Sequence, residues 1–161
     1  MRKQLESLIS EKNKANFFLK AFTISKIPLL FITGVFVKSL EENSCTLRIP
    51  FIKIVKNHLG SMYFGALSMG AEACIVMLAV NKINQTGEKI SFVFKSFKAD
   101  FQKRAVGPTD FICDQGELID ELISETLETR ERCHKLIKSV AKTNGEIVAE
   151  FELELSLKVQ S

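Results

Sequence analysis

Hydrophobic positions along the chain follow the period of a helix in some stretches and the period of a strand in others. Leu5, Leu8 and Ile9, and then Phe17 and Phe18, have helical spacing and predict a helical lead-in over about residues 1–28, which Pro28 ends. At the other end of the chain, apolar residues alternate with charged ones from 147 to 159, which predicts a strand with one buried face.

A central segment, about 62–82, is almost uniformly apolar and rich in small residues, and its only charge before Lys82 is Glu72. A helix that is apolar all round is a buried helix. The surrounding pattern predicts strands at 34–40, 44–51, 90–101, 109–113 and 132–142, and an acidic amphipathic helix at 116–128. Alternation changes parity at Lys95-Ser96, which predicts a β-bulge, and Asn144-Gly145 predicts a tight hairpin.

About six strands and one apolar helix indicate an α+β protein in which a long, curved antiparallel sheet wraps around the helix. This arrangement is the hot-dog fold, and a generic α+β sandwich is the alternative. A chain of 161 residues has the length of one domain, so we expect a single domain over 1–161 that includes the helical lead-in.

Composition and charge narrow the classes of function. Residues 1–104 hold 16 Lys and Arg against 7 Asp and Glu, a sign that suits a phosphorylated partner. The basic residues are scattered, so we expect no nucleic-acid partner. Four cysteines without a C-x-x-C pair and a polar N-terminus predict a cytoplasmic protein with free thiols. The longest apolar run, 27–37, is too short to span a membrane.

Glu72 is the first candidate for chemistry. A carboxyl group in an apolar helix has a raised pKa, which suits a general acid or base, although structural networks also hold buried acids. Gly65 lies seven residues earlier on the same helix face, near the predicted helix start. Its backbone N–H can form an oxyanion hole, and the nearby Asn57 amide can position a carbonyl or a water. These groups together suit attack on an acyl carbonyl.

The segment Asn57–Gly65, followed by Glu72, resembles the active-site segment of hot-dog acyl-CoA thioesterases of the phenylacetyl-CoA thioesterase type. That family reads N-x-x-G-x-x-H-G-G, with an Asp seven residues after the last Gly. Asn57, Gly60 and Gly65 match, and Glu72 stands at the Asp. Tyr63 replaces the His and Phe64 replaces the first Gly, which is similar to a largely uncharacterised branch of the superfamily.

The resemblance implies an acyl-CoA or acyl-carrier thioester as substrate, with Glu72 as base or nucleophile, Asn57 as the positioning group and Gly65 as the oxyanion donor. It implies no metal and no cofactor apart from the CoA of the substrate. It also implies a homodimer, or a tetramer of two such dimers, in which Gly65 and Glu72 of one site come from different subunits. The remaining candidate site residues are Phe64 in the catalytic turn, Tyr63 and His58 beside the substrate, and Lys98, Lys103 and Arg104 at the CoA phosphates.

The chain's 13 Phe residues are expected mostly in the core, with Phe64 and the phenylalanines before Gly34 as the wall of an acyl tunnel. Lys98, Lys103 and Arg104 could equally be a solvated strand end. Two other functions stay open: a non-catalytic acyl- or lipid-binding module, and a 3-hydroxyacyl dehydratase that uses His58 and Glu72, fourteen residues apart. The dehydratase ranks lower, because its pattern requires prolines and none occurs between residues 51 and 107.

Overall fold

Helices and strands follow one another in the predicted order. A computed structural model describes the backbone of residues 2–160 and the side chains of residues 11–160, so the side chains of Leu5, Leu8 and Ile9 lie outside the described residues. The helices are α1 (Arg2–Lys26), α2 (Pro28–Ile32), α3 (Phe64–Thr86) and α4 (Gly116–Thr129), and a short 3-10 turn occupies Lys53–Val55.

The strands are β1 (Phe36–Leu40), β2 (Cys45–Ile49), β3 (Ile90–Phe101), β4 (Thr109–Cys113), β5 (Cys133–Thr143) and β6 (Glu146–Val159). All six form one antiparallel sheet in the order β1-β2-β4-β5-β6-β3. The predicted bulge in β3 is confirmed by a register shift between Phe94 and Phe97. The predicted hairpin is confirmed too, with positive φ angles at Asn144 and Gly145.

Helix α3 is the core of the molecule, and the sheet wraps around it. It packs against β2, β4, β5 and β6, and by length and composition it could span a membrane, but most of its apolar window is buried inside the protein. At Gly70 the ring of Phe111 lies so close that a Cβ atom would overlap it. This arrangement confirms the hot-dog fold and the central apolar helix.

Pro28 has a different effect from the one predicted. It does end α1, but it also occupies the first position of α2, where its missing N–H costs nothing and its fixed φ favours helix. The helical lead-in therefore extends to Ile32 rather than to about residue 28. Asn16 fastens α1 to the sheet edge, because its amide accepts a hydrogen bond from Val37 N (2.7 Å) and donates one to Val37 O (3.1 Å).

The phenylalanines of the strands divide into two groups. Phe111 and Phe151 are fully buried as predicted, but Phe97 and Phe101 are each 45% exposed. The expectation that strand phenylalanines are core residues therefore holds in β3 for Phe92 and Phe94, which pack partly buried against the core, and is wrong for Phe97 and Phe101. The reason is topological: β3 lies at the edge of the sheet, where it pairs only with β6.

The close contact between Gly70 and Phe111 makes Gly70→Ala destabilising. Alanine favours helix by up to about 1 kcal/mol over glycine, but the new methyl group must displace a fully buried ring, and overpacking of this kind costs about 1–3 kcal/mol. We expect a net loss in the free energy of unfolding, measured by urea denaturation. Adding Phe111→Leu should cancel part of the effect of the alanine, since the two residues share one contact. A Gly70→Ala protein as stable as the wild type would contradict this packing.

Candidate active site

The loop before α3 is held in place by backbone hydrogen bonds from two sides. Tyr63 N donates to Val55 O, and Met62 N donates to Ala105 O, both at 2.8 Å. Arg104 adds a side-chain contact, because its guanidinium donates to the carbonyl oxygen of Leu59. The start of α3 is thereby fixed relative to the segment that follows β3.

Asn57 organises this loop through one atom of its side chain. Its Oδ1 accepts hydrogen bonds from the backbone N–H groups of Leu59 (3.0 Å) and Ser61 (3.2 Å) and from the Ser61 hydroxyl (3.2 Å). The side-chain Nδ2 has no hydrogen-bond acceptor among the residues the structure describes. Asn57 is therefore both a structural residue, through its oxygen, and a candidate donor, through its nitrogen.

Gly65 is the second residue of α3, close to where the sequence predicts the helix start. The first hydrogen bond of the helix runs from Leu67 N to Tyr63 O (3.1 Å), so the N–H groups of Phe64, Gly65 and Ala66 precede it and have no partner within the helix. The Tyr63 ring lies against the Cα of Gly65, where a Cβ atom would overlap it. Glycine thus allows Tyr63 to cover this turn, and the helix start keeps the partial positive charge that suits an oxyanion.

Aromatic rings surround the helix start. The rings of Tyr63 and Phe64 lie 4.7 Å apart, Phe64 meets Phe101 at 6.2 Å, and Phe101 meets the buried Phe151 at 6.0 Å between ring centroids. Phe64 is 59% exposed. These rings form a continuous apolar path from the helix start to the exposed edge strand β3.

Glu72 projects from α3 into a groove against the N-terminal helices. All the other residues lining the groove are apolar: Phe18, Leu19, Phe22, Ile27, Leu30, Met69, Ala73, Val76, Met77 and Val80. The void in it measures about 30 Å³, the share of one water molecule in the liquid. Glu72 is nevertheless an exposed residue, so the groove desolvates its carboxyl group only in part. This partial desolvation raises the pKa of Glu72 above the ordinary 4.5.

Within one chain, the Glu72 groove and the helix start are separate places. Asn57, Tyr63, Phe64 and Gly65 do not line the groove that Glu72 lines. Seven residues of helix separate Gly65 from Glu72 by about 10 Å along the axis. The division of the site between two subunits, which the resemblance implies, remains a prediction.

The other predicted site residues lie at the surface. His58 is exposed in the turn that Asn57 organises, and Lys98 is exposed on β3. Lys103 forms an exposed ion pair with Glu146 at 3.2 Å. Within residues 11–160, no three His, Cys, Asp or Glu side chains are grouped so that they could hold a metal ion.

Two features of the site could not be read from the spacing of residues. One is the contact of Arg104 with Leu59, which connects a predicted phosphate-binding residue to the loop before α3. The other is the groove itself, in which Phe18 and Phe22 of α1 face Glu72 of α3. In the sequence, only the concentration of phenylalanine before Gly34 indicated this groove.

Comparison with known proteins adds a family and a set of relatives. A family model described as Domain of unknown function (DUF4442) matches residues 15–157. Among curated proteins, no sequence matches this chain. A Pseudomonas aeruginosa protein of unknown function, described as a probable thioesterase, shares 26% identity; the match covers 89% of this chain and 95% of that one, with a TM-score of 0.76.

Two further solved structures share the fold at lower identity. A protein of unknown function from Chlorobaculum tepidum matches with a TM-score of 0.82 at 12% identity, over 92% of this chain and 97% of its own. A thioesterase family protein from Silicibacter pomeroyi matches with a TM-score of 0.64 at 14% identity, over 88% of this chain and 97% of its own. At these identities the likeness establishes the fold alone.

The environment of Glu72 predicts a pH-dependent effect of Glu72→Gln on stability. A raised pKa in the folded state means that the protonated acid is favoured by folding, so its contribution is full below the unfolded pKa and is lost as pH rises through the folded pKa. Glutamine does not titrate, so the variant does not lose stability in this way as pH rises. We expect the variant to gain stability relative to the wild type as pH rises from 4 to 7, measured by urea denaturation. Glu125→Gln, at an exposed position of α4, should show no comparable trend.

Proposed function

This chain belongs to the DUF4442 family, within the superfamily of hot-dog thioesterase-like proteins, and we propose that it hydrolyses the thioester of an acyl-CoA or acyl-carrier substrate. The observation that carries the proposal is the combination of N–H groups that have no partner within the helix at the start of α3 with a partly desolvated carboxyl group on the same helix. The description of the Pseudomonas aeruginosa protein as a probable thioesterase supports the same reaction class.

The start of α3 would stabilise the charge that develops on the substrate carbonyl. The Gly65 N–H donates to the thioester oxygen as it becomes an oxyanion, and the partial positive charge of the helix start adds to this effect. The Asn57 Nδ2 donates to the same carbonyl or to the attacking water. Both donors are held by the loop contacts that exist before any substrate binds, so little reorganisation accompanies the reaction.

Glu72 would act as general base or as nucleophile. As a base it removes a proton from water, and the resulting hydroxide attacks the carbonyl carbon while the C–S bond breaks and the thiol leaves with a proton. As a nucleophile its carboxylate attacks the carbonyl carbon directly, the C–S bond breaks, and the thiolate leaves and takes up a proton. Water then cleaves the resulting anhydride, which releases the acyl carboxylate and restores the Glu72 carboxylate. The raised pKa of Glu72 makes its carboxylate a stronger base than an ordinary one near neutral pH.

The apolar groove beside Glu72 would receive the acyl chain. Ten apolar side chains and one carboxyl group line it, which is the lining that an alkyl or aryl group next to a reacting carbonyl requires. Its present void is the size of one water, so an acyl chain must displace α1 or the side chains of Phe18 and Phe22. Lys98, Lys103 and Arg104 would contact the CoA phosphates or the carrier.

The site would be completed by a second subunit. The long edge strand β3 has one unpaired side and exposes Val93, Phe97 and Phe101, so two copies can pair through it. In such a homodimer the Glu72 of one subunit would lie near the Gly65 and Asn57 of the other. Within one chain, Gly65 and Glu72 lie about 10 Å apart along α3. Dimers of this kind could pair further into a tetramer. The free, buried cysteines support a reducing, cytoplasmic location.

A second candidate function is acyl binding without turnover. The Tyr63 ring that lies on Gly65 favours it, because this ring restricts access to the oxyanion donor. Mass spectrometry of the purified protein would then detect a retained acyl compound, and no thioester would be hydrolysed. The dehydratase alternative has less support, since its sequence pattern requires prolines and none occurs between residues 51 and 107.

Glu72→Gln and Asn57→Asp test the thioesterase directly. Loss of the base should lower kcat by about 10²–10⁴-fold. Asn57→Asp keeps the oxygen that holds the loop and removes the nitrogen donor, so kcat should fall by about 10²–10³-fold with the fold intact. The measurement is thiol release from acyl-CoA substrates of several chain lengths, with Glu125→Gln as the control for an exposed acid. Unchanged hydrolysis by both variants would exclude this site.

Mixing the two inactive variants tests whether the site is shared between subunits. In a mixed dimer, one of the two sites contains both mutated residues and the other contains neither. After random exchange of subunits, the mixture should regain about a quarter of the wild-type activity. Each variant alone, carried through the same exchange, should stay inactive. No recovery in dimers shown by mass spectrometry to be mixed would mean that each site lies within one chain.

A further inference from the structure

One surface of the protein is both apolar and basic, and the proposed hydrolysis does not use it. It comprises the end of α1, helix α2 and the 3-10 turn, and we call it the α2 patch. The apolar side chains that it exposes are Ile24, Leu29, Phe31, Ile32, Ile52 and Ile54. The two segments meet near Gly34, where a Cβ atom would lie 3.1 Å from Pro50 Cγ and 3.8 Å from Ile52 Cδ1.

The helix ends and the turn that form the α2 patch carry basic charges only, and Glu72 lies beside the patch, in the groove that Ile27 and Leu30 help to line. Two segments of the chain, 12–40 and 43–71, contribute the residues of the patch. Together they contain eight Lys and Arg and no Asp or Glu. Lys38 and Arg48 are paired with Asp110. Lys20, Lys26, Lys53 and Lys56 form no ion pair among the described side chains. Neither of these two segments contains an acidic side chain that could neutralise these lysines.

We propose that the α2 patch docks the protein on the surface of an anionic lipid bilayer. Large apolar side chains on a short helix, flanked by lysines, are the combination that binds at the boundary of headgroups and acyl chains. A second copy of this chain is disfavoured as the occupant, since two-fold pairing of the patch would bring lysines against lysines. A bilayer supplies both the apolar phase and the negative charge.

Docking in this way would place the Glu72 groove next to the membrane. Ile27 and Leu30 line the groove, and Leu29 and Phe31 of the patch alternate with them along the same short segment. An acyl chain could then pass between the bilayer and the groove without crossing water. The docking itself does not depend on hydrolysis, so the two proposals can fail separately.

Vesicle flotation tests the docking. We expect the wild-type protein to float with vesicles of phosphatidylcholine and phosphatidylglycerol in equal amounts, to bind vesicles of phosphatidylcholine alone much less, and to be released by 0.5 M NaCl. Leu29→Ser with Phe31→Ser should reduce the bound-to-free ratio at least about tenfold, because the apolar contact is lost. Lys26→Glu with Lys53→Glu should reduce it similarly at low salt.

Matched variants outside the patch give the control. Leu136→Ser and Lys89→Glu change exposed residues of β5 and of the turn before β3, and both should bind like the wild type. No binding to anionic vesicles, or binding that the patch variants leave unchanged, would overturn the proposal. So would a lower molar mass of the Leu29→Ser, Phe31→Ser protein in light scattering, which would show that the patch is an interface between copies of the chain. Hydrolysis of soluble acyl-CoA by each variant separates this result from the proposed function.

Discussion

The burial of an almost wholly apolar helix inside a curved sheet is the constraint on which the rest of the structure depends. Gly70 of α3 lets the ring of Phe111 lie against the helix backbone, which sets how the helix is rotated within the sheet. Two residues further along, about 200° around the helix, Glu72 must point away from Phe111. The side of α3 opposite the sheet would stay open to water without a cover, and α1 and α2 supply one.

Because α1 and α2 cover that side of α3, a carboxyl group lies next to apolar side chains there. The same apolar residues that shield α3 lie against one side of the Glu72 carboxyl group, and this partial desolvation raises its pKa. An apolar side chain would fill this position without that cost. A carboxyl group kept in such surroundings is a candidate for proton transfer, and here it shares a helix with N–H groups that have no helical partner.

Local features of the fold could be predicted because their causes are local. The bulge at Lys95-Ser96 follows from a change of parity, and the turn at Asn144-Gly145 follows from residues that accept positive φ. The exposure of Phe97 and Phe101 could not be predicted, because it depends on β3 lying at the sheet edge. That position results from the order of strands that are distant in sequence.

The candidate site shows the same division. The start of α3 and the position of Glu72 as the only charge before Lys82 are properties of one segment. The spacing of Gly65 and Glu72 within that segment therefore indicated them. The two uses of the Asn57 amide depend on a loop geometry that spacing does not encode. The closure of the groove by Phe18 and Phe22 depends on where α1 packs, which the weak periodicity of that helix leaves undetermined.

Charge distinguishes two apolar surfaces that the described side chains leave exposed, the edge strand β3 and the α2 patch. Along β3 the exposed phenylalanines stand among charges of both signs, such as Lys98 and Asp100 on the strand and Glu152 opposite Lys98 on β6. A two-fold axis places a surface against its own copy, so a surface of mixed sign can pair with itself, whereas one of a single sign repels itself. The edge strand therefore suits a second copy of the chain, and the α2 patch suits an anionic partner. Because the edge strand and the α2 patch favour different partners, one protein can use both surfaces at once.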